Sequence, residues 1–321
     1  MSQFWKNKKV LVTGHEGFLG SWLTKRLVDS GAKVVAVDKV TNRKKSILDG
    51  YRKRIKAIKG DIANAKVIRA LINKTKPQYI FHLAAEAIVG ETLKNPITAF
   101  KSNIEGTWNI LEAARGKKYL SGMVVASSDK AYGTHKILPY TENFALQGNH
   151  PYDASKSCTD LLCQTYSHTY KTPVCITRCG NIYGPGDFHF SRIVPDGVCS
   201  AIKNKQLVIR SNGKFTRDYI YVEDIVDAYL LLAQKMKSLK LSGQAFNFST
   251  ENPMSVLQLF REINKAVGQK QIKPKVLNQG KFEIPHQYLS AKKARRILKW
   301  RPKHTLKQGL TKTIQWYRDN G

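Results

Sequence analysis

The chain has 321 residues, 42% of them hydrophobic and 24% charged, which is enough for one large or two moderate domains with a sizeable core and unlike a disordered composition. Its 54 Lys and Arg against 23 Asp and Glu leave a formal net charge of +31, but these residues are scattered from Lys6 to Lys312, mostly as pairs such as Lys44-Lys45. Without aromatic interleaving this pattern predicts a solvated basic surface and no nucleic-acid partner, while the lack of any apolar run near the roughly 20 residues of a membrane span, or of a secretory pattern over 1–9, predicts a cytosolic protein with no membrane segment.

In chain order, β-branched runs at 9–13, 33–38, 55–59, 79–83, 123–127 and 174–178 predict six strands. Apolar residues at helical spacing predict helices over 18–29, 65–74, 96–115 and 152–170. Strands alternating with helices are the pattern of a parallel sheet covered on both faces, so the expected fold class is α/β with a doubly wound, Rossmann-type sheet. After Gly180 a strand at 206–210 and helices at 222–235, 255–267 and 306–318 predict a smaller mixed α/β region. Cys158, Cys163, Cys175, Cys179 and Cys199 are odd in number and lack CxxC or His spacing suited to zinc, so free thiols and no metal are expected.

The first strand runs into Gly14-His15-Glu16-Gly17-Phe18-Leu19-Gly20 and then the first helix. Glycines permit a tight turn and let backbone amides at a helix N-terminus approach a pyrophosphate. The second strand ends in Asp38, where a carboxylate accepts hydrogen bonds from ribose hydroxyls and repels a 2′-phosphate. This order predicts a nicotinamide dinucleotide, NAD in preference to NADP, with Arg43 the nearby residue that would serve a 2′-phosphate. The expected division is an NAD-binding domain over 1–179, rejoined by about 215–235, and a mainly substrate-binding region over 180–321.

Tyr152 and Lys156 lie four apart on a predicted helix and so project from one face. An ammonium near a phenol favours the phenolate, bringing a pKa of about 10 toward the range of a working general base.

The GxxGxxG turn, with Tyr152-Asp-Ala-Ser-Lys156 downstream, resembles the extended short-chain dehydrogenase/reductase family of NAD-dependent epimerases and dehydratases. Gly60-Asp61-Ile62, Phe81-His82-Leu83-Ala84-Ala85, Ser102-Asn103, Arg178-Cys179-Gly180-Asn181-Ile182-Tyr183 and Arg217-Asp218-Tyr219 follow that family's landmarks in order, over nearly the whole chain. The resemblance implies Asp61 and Ile62 near the adenine, Leu83 and Ala84 along the phosphate-ribose path, and Tyr183 beside the nicotinamide. It adds Ala85 and Asn103 to the cofactor set. Asn181 and Arg217 are implied to hold the substrate's diphosphate, with Arg192 also on the substrate. A guanidinium suits phosphate because it binds its oxygens in a fork and stays charged.

By the same resemblance Tyr152 takes the proton of a sugar hydroxyl, with Ser128 hydrogen-bonding the same oxygen. Asp129-Lys130, at the end of the 123–127 strand, is similar to the acid and base of nucleotide-sugar 4,6-dehydratases. The pair looks like CDP-glucose 4,6-dehydratases and some UDP-N-acetylglucosamine 4,6-dehydratases, whereas dTDP-glucose enzymes have Asp-Glu. Asp129 is then the acid for the departing C6 hydroxyl and Lys130 the candidate base at C5. The expected activity is an NAD-dependent 4,6-dehydratase acting on a nucleotide-diphosphate hexose such as CDP-glucose. A nucleotide-sugar 4-epimerase is the alternative, and a noncatalytic NAD- or RNA-binding protein a remote one. The family also implies a homodimer through the helices at 96–115 and 152–170.

Overall fold

The computed structural model describes residues 2–268, 272–279 and 284–320. Its main sheet has seven strands: β1 (Lys9–Thr13), β2 (Lys33–Asp38), β3 (Lys56–Lys59), β4 (Tyr79–His82), β5 (Gly122–Ala126), β6 (Val174–Cys179) and β7 (Ala245–Phe248). All are parallel, in the order β7-β6-β5-β4-β1-β2-β3. Six strands were expected, and the seventh is a finding. Ala245–Phe248 is four residues long and stands far from the alternating segments, and pairing with Ile176 to Cys179 is what makes it a strand.

Strands buried on both faces need apolar side chains on both, and β1, β4, β5 and β6 have them. On one side of the sheet Val10, Val12, Phe81 and Val124 pack with Leu23, Leu27, Ile225, Tyr229, Phe246 and Trp300. On the other, Leu11, Ile80, Met123 and Val125 pack with Ile68, Ile72, Ile110 and Cys163. The helix Val222–Lys235 and β7 thus bring part of the C-terminal half back onto the sheet. A third apolar cluster joins Val194, Val198, Leu207, Ile209, Phe260, Ile263, Leu310 and Ile314.

Local chemistry sets the helix ends. Asn64 Oδ1 accepts from the amides of Lys66 and Val67 to open Ala65–Thr75, and Ser255 forms a capping box with Gln258 to open Val256–Val267. The helix expected at 96–115 contains a π turn at Lys101–Glu105 between Pro96–Phe100 and Gly106–Ala114. There the carbonyl of Asn103 accepts from Thr107 Oγ1 at 2.6 Å and Thr159 Oγ1 at 3.0 Å. The strand expected at 206–210 shrinks to Val208–Ile209, paired with Lys275–Val276.

Candidate active site

The chain leaves β1 and β4 toward opposite halves of the sheet, and the crevice beyond their carboxyl ends is where ligands bind in such sheets. A cleft of about 1110 Å³ opens there. Gly14, at φ +76°, brings the turn against β4's exit: a Cβ would stand 2.6 Å from the Ala84 nitrogen. A Cβ on Gly20 would lie 1.9 Å from the Gly14 oxygen, so only glycine lets the helix pack onto the turn. Gly17 is the N-cap of Phe18–Asp29 and no side chain caps this helix, which leaves its first amides to an anion. Gly14, Gly17, Phe18, Leu19 and Gly20 line the cleft, followed along its floor by Asp38, Ile62, Leu83, Ala84 and Ala85. An uncapped helix N-terminus, a carboxylate at the second strand's end and an apolar floor fit a dinucleotide.

Two buried polar groups shape this floor. Glu16 accepts from Arg52 Nη1 at 2.5 Å, and Arg52 also donates to the carbonyls of Thr41 at 3.1 Å and Arg43 at 2.7 Å, clipping the loop after β2 to the glycine turn. His82 lies between Thr13 Oγ1 at 2.7 Å and Thr107 Oγ1 at 3.1 Å. Burial pulls His82 down to about 3, so the ring is neutral. Thr13 Oγ1 accepts the amides of Leu83 and Ala84 and so sets the loop after β4.

Two residues expected on the cofactor are not among those that line the cleft. Asp61 is flanked by the cleft-lining Gly60 and Ile62, but its carboxylate turns to Lys39 Nζ at 3.2 Å and the Ala63 amide. Asn103 is buried behind the cleft wall, bonding both main-chain groups of Glu86 and, at 2.9 Å, Ser155 Oγ. It acts through the 83–88 loop, and its neighbour Ser102 lines the cleft.

Ser128, Asp129, Lys130, Tyr152 and Lys156 all line the next stretch of cleft. Ser128 Oγ caps the short Asp129–Tyr132 turn, accepts the Lys130 amide at 3.2 Å, and donates to Asp129 Oδ1 at 3.0 Å. The Asp129 carboxyl is buried, and desolvation raises its pKa against the downward pull of Lys130, Ser128 and Arg217. Lys156 is buried and depressed to about 8, again by desolvation. Its Nζ donates to the Ala126 carbonyl at 2.7 Å and lies 5.9 Å from the Tyr152 ring centroid. The expected lowering of the Tyr152 phenol by Lys156 is therefore corrected. Burial pushes Tyr152 up to about 12, and the protein groups that oppose this are the hydrogen bond with Ser128 and the charge of Arg192.

Asn181, Tyr183, Arg192 and Arg217 line the cleft beyond the reacting groups. Arg192 is held by Asp187 Oδ2 at 3.0 Å, and the buried Arg217 donates to the carbonyls of Thr216 and Pro285 at 2.9 and 3.2 Å. Tyr183 sends its hydroxyl to the Leu306 carbonyl, so the cleft meets its ring. Two neighbours had no sequence signal. Gln287, fully buried, donates to the Asp129 carbonyl at 2.8 Å across 158 residues of chain, and Asp153, also buried, feels the charge of Lys130.

Comparison with known proteins agrees with this geometry. The family model described as GDP-mannose 4,6 dehydratase matches residues 11–313. A dTDP-glucose 4,6-dehydratase of Escherichia coli is 30% identical over 97% of this chain and 94% of its own length. The dTDP-glucose 4,6-dehydratase of Bacillus anthracis, solved in complex with NAD, superposes with a TM-score of 0.84 at 27% identity over 98% of this chain and 97% of that one. The UDP-glucose 4-epimerase of Thermotoga maritima, solved with UDP-glucose, gives a TM-score of 0.87 at 26% identity over 97% of this chain and 99% of that one.

Proposed function

The chain belongs to the GDP-mannose 4,6-dehydratase family, and from that premise we propose an NAD-dependent 4,6-dehydratase that converts a nucleotide-diphosphate hexose to its 4-keto-6-deoxy form. It is an extended short-chain dehydrogenase/reductase enzyme, and NAD is its cofactor. The observation that carries the dehydratase reading is Asp129: a buried carboxyl with a raised pKa, hydrogen-bonded by Ser128 and followed by Lys130 in the same cleft as Tyr152. A C4 epimerase needs the tyrosine, lysine and serine alone.

NAD bound along the glycine floor supplies a hydride acceptor for C4 and a hydride donor for C6. Tyr152 takes the O4 proton in its phenolate form, which the Ser128 hydrogen bond and the charge of Arg192 favour against burial, and Ser128 holds the same oxygen. The ketone at C4 acidifies C5, and Lys130 removes that proton and gives one back to C5 when hydride arrives at C6. Asp129, whose pKa burial raises, gives its proton to the departing C6 hydroxyl. Arg217 and Arg192 supply fixed positive charge for the diphosphate, and Asn181 a hydrogen-bonding amide.

CDP-glucose is the first substrate to offer, because Asp129-Lys130 resembles the pair of CDP-glucose dehydratases. Incubation with CDP-, UDP-, dTDP- and GDP-hexoses tests the reaction by mass: a product lighter by one water supports it, and an isomeric product makes the chain a 4-epimerase. A homodimer through the helical surface at 96–115 and 152–170 is part of the proposal. Exposed Ile97, Trp108, Leu161 and Tyr170 on that surface support it, and sedimentation at a monomer's mass would overturn it. Among the described residues no helix is long and apolar enough to cross a membrane. A cytosolic setting is proposed on the sequence pattern.

A further inference from the structure

Part of the cleft wall is made by the helix Ile193–Ile202, which Arg192 caps, and by the segment 207–211. Val194 and Val198 of the helix, with Leu207 and Ile209 of the segment, turn into the third apolar cluster and lock the two pieces together. Asp196 stands between the two valines in sequence; it lines the cleft and is not part of the cluster. Its carboxylate is half-buried, and among the described residues its one hydrogen bond is a long one, from Ser200 Oγ at 3.5 Å.

The cleft's order of parts gives this wall its role, on the proposed reading of the site as a nucleotide-sugar pocket. The cofactor takes the stretch from Asp38 to Tyr152. The hexose must meet Tyr152 and Asp129, and its diphosphate the cations at Arg192 and Arg217. The nucleoside continues from the diphosphate, and Asp196 lies one turn into the helix that Arg192 caps, so this wall stands beside the diphosphate site. We propose that Asp196 reads the base edge and selects a nucleotide whose base presents amino hydrogens, cytosine or guanine, over uracil or thymine.

The chemistry is one of donors and acceptors. A carboxylate only accepts. The 4-amino group of cytosine and the N1–H and 2-amino group of guanine donate to it, as acidic side chains take the cytosine amine in nucleic-acid recognition. At position 4 uracil and thymine turn a carbonyl where cytosine has its amine, so a carboxylate placed there meets an acceptor and is left only the neighbouring N3–H. Desolvation raises the pKa of Asp196 even though the Ser200 hydrogen bond and the charge of Arg210 pull the other way. This selection depends on the pocket wall and not on Asp129-Lys130, so it reaches the base independently of the reaction chemistry.

Calorimetric titration of the NAD-loaded full chain with CDP, GDP, UDP and dTDP tests the assignment without turnover. CDP or GDP should bind about tenfold or more tightly than UDP and dTDP, as expected when one base satisfies a buried polar group and the other leaves it opposed. In Asp196→Asn, whose amide can donate to O4, that ratio should collapse to about threefold or less, or invert, because a neutral amide serves either edge. Preference of the unaltered chain for UDP or dTDP, or an unchanged ratio in the variant, would overturn the role of Asp196 while leaving the nucleotide-sugar reading in place. Binding of none of the four overturns both.

Discussion

Replacing Asp129 with Asn should divide the reaction in two. The amide keeps the side chain's shape and an oxygen to accept from Ser128 Oγ, now 3.0 Å from Oδ1, and the Gln287 bond to the main-chain carbonyl is untouched, so the local structure should survive. What disappears is the proton that burial holds on the carboxyl above the usual carboxylate range. A positioned general acid contributes about 10²- to 10⁴-fold, which at about 1.36 kcal/mol per factor of ten is about 2.7–5.4 kcal/mol of barrier. Loss of water should slow by that factor, while oxidation at C4 continues and reduced nicotinamide absorbance builds up on the enzyme in stopped flow. The pH profile carries the same information. The acid works only when protonated, so dehydration by the unaltered chain should fall as pH rises through the raised pKa of Asp129, and the Asn variant should lack that limb. Tyr152→Phe is the contrast, since it should abolish both the absorbance and the loss of water. Unimpaired dehydration in Asp129→Asn, measured by product mass, would remove this residue from the mechanism. Loss of the absorbance together with the dehydration would mean that it serves the oxidation instead.

Two further outcomes concern the scaffold. Unfolded His82 titrates near 6.5 and folded His82 at about 3, so between these values the unfolded chain binds the extra proton. Stability should therefore fall by about 1.4 kcal/mol for each pH unit lost in that window through this residue alone. Urea unfolding at several pH values should find this slope reduced in His82→Gln, and equal slopes would refute the assignment. Arg178 and Asp160 form a buried bidentate pair at 2.8 Å, with Tyr132 at 2.7 Å on the same guanidinium. Arg178→Met should cost about 3–5 kcal/mol by stranding the carboxylate. Adding Asp160→Leu should recover most of it, and a double variant no more stable than the single one would show that the charge is not the cause.

Much of the site was legible because its parts lie close together along the chain. The glycine turn, its helix and Asp38 follow each other within 25 residues of Gly14, and each step is a local backbone or hydrogen-bonding requirement that residue type alone expresses. Tyr152 and Lys156 needed only helical spacing, and Ser128, Asp129 and Lys130 only the end of a strand. These local requirements brought the expected cofactor and reacting groups to one cleft, apart from Asp61 and Asn103. Those two side chains bond outside the cleft for an instructive reason. A residue's place near a ligand can be read from sequence, but the direction of its side chain follows from which partners lie closer, and Lys39 and Ser155 do.

What the tertiary structure alone decided are the relations across long stretches of chain. The pairing of β7 with β6 lies in no local pattern. Gln287 reaches the acid's backbone from the far end of the sequence, and Asp196 meets the cleft because its neighbouring valines are drawn into a core shared with Leu207 and Ile209. Even the tyrosine's electrostatics changed on folding. Spacing put an ammonium beside the phenol, but burial left Lys156 bonded to the Ala126 carbonyl, and Ser128 and Arg192 are the groups that pull the phenol down. Period and turn chemistry are properties of neighbouring residues and survive in a string of letters. Desolvation and charge are summed over everything that packs around a group, and they exist only once the chain has closed.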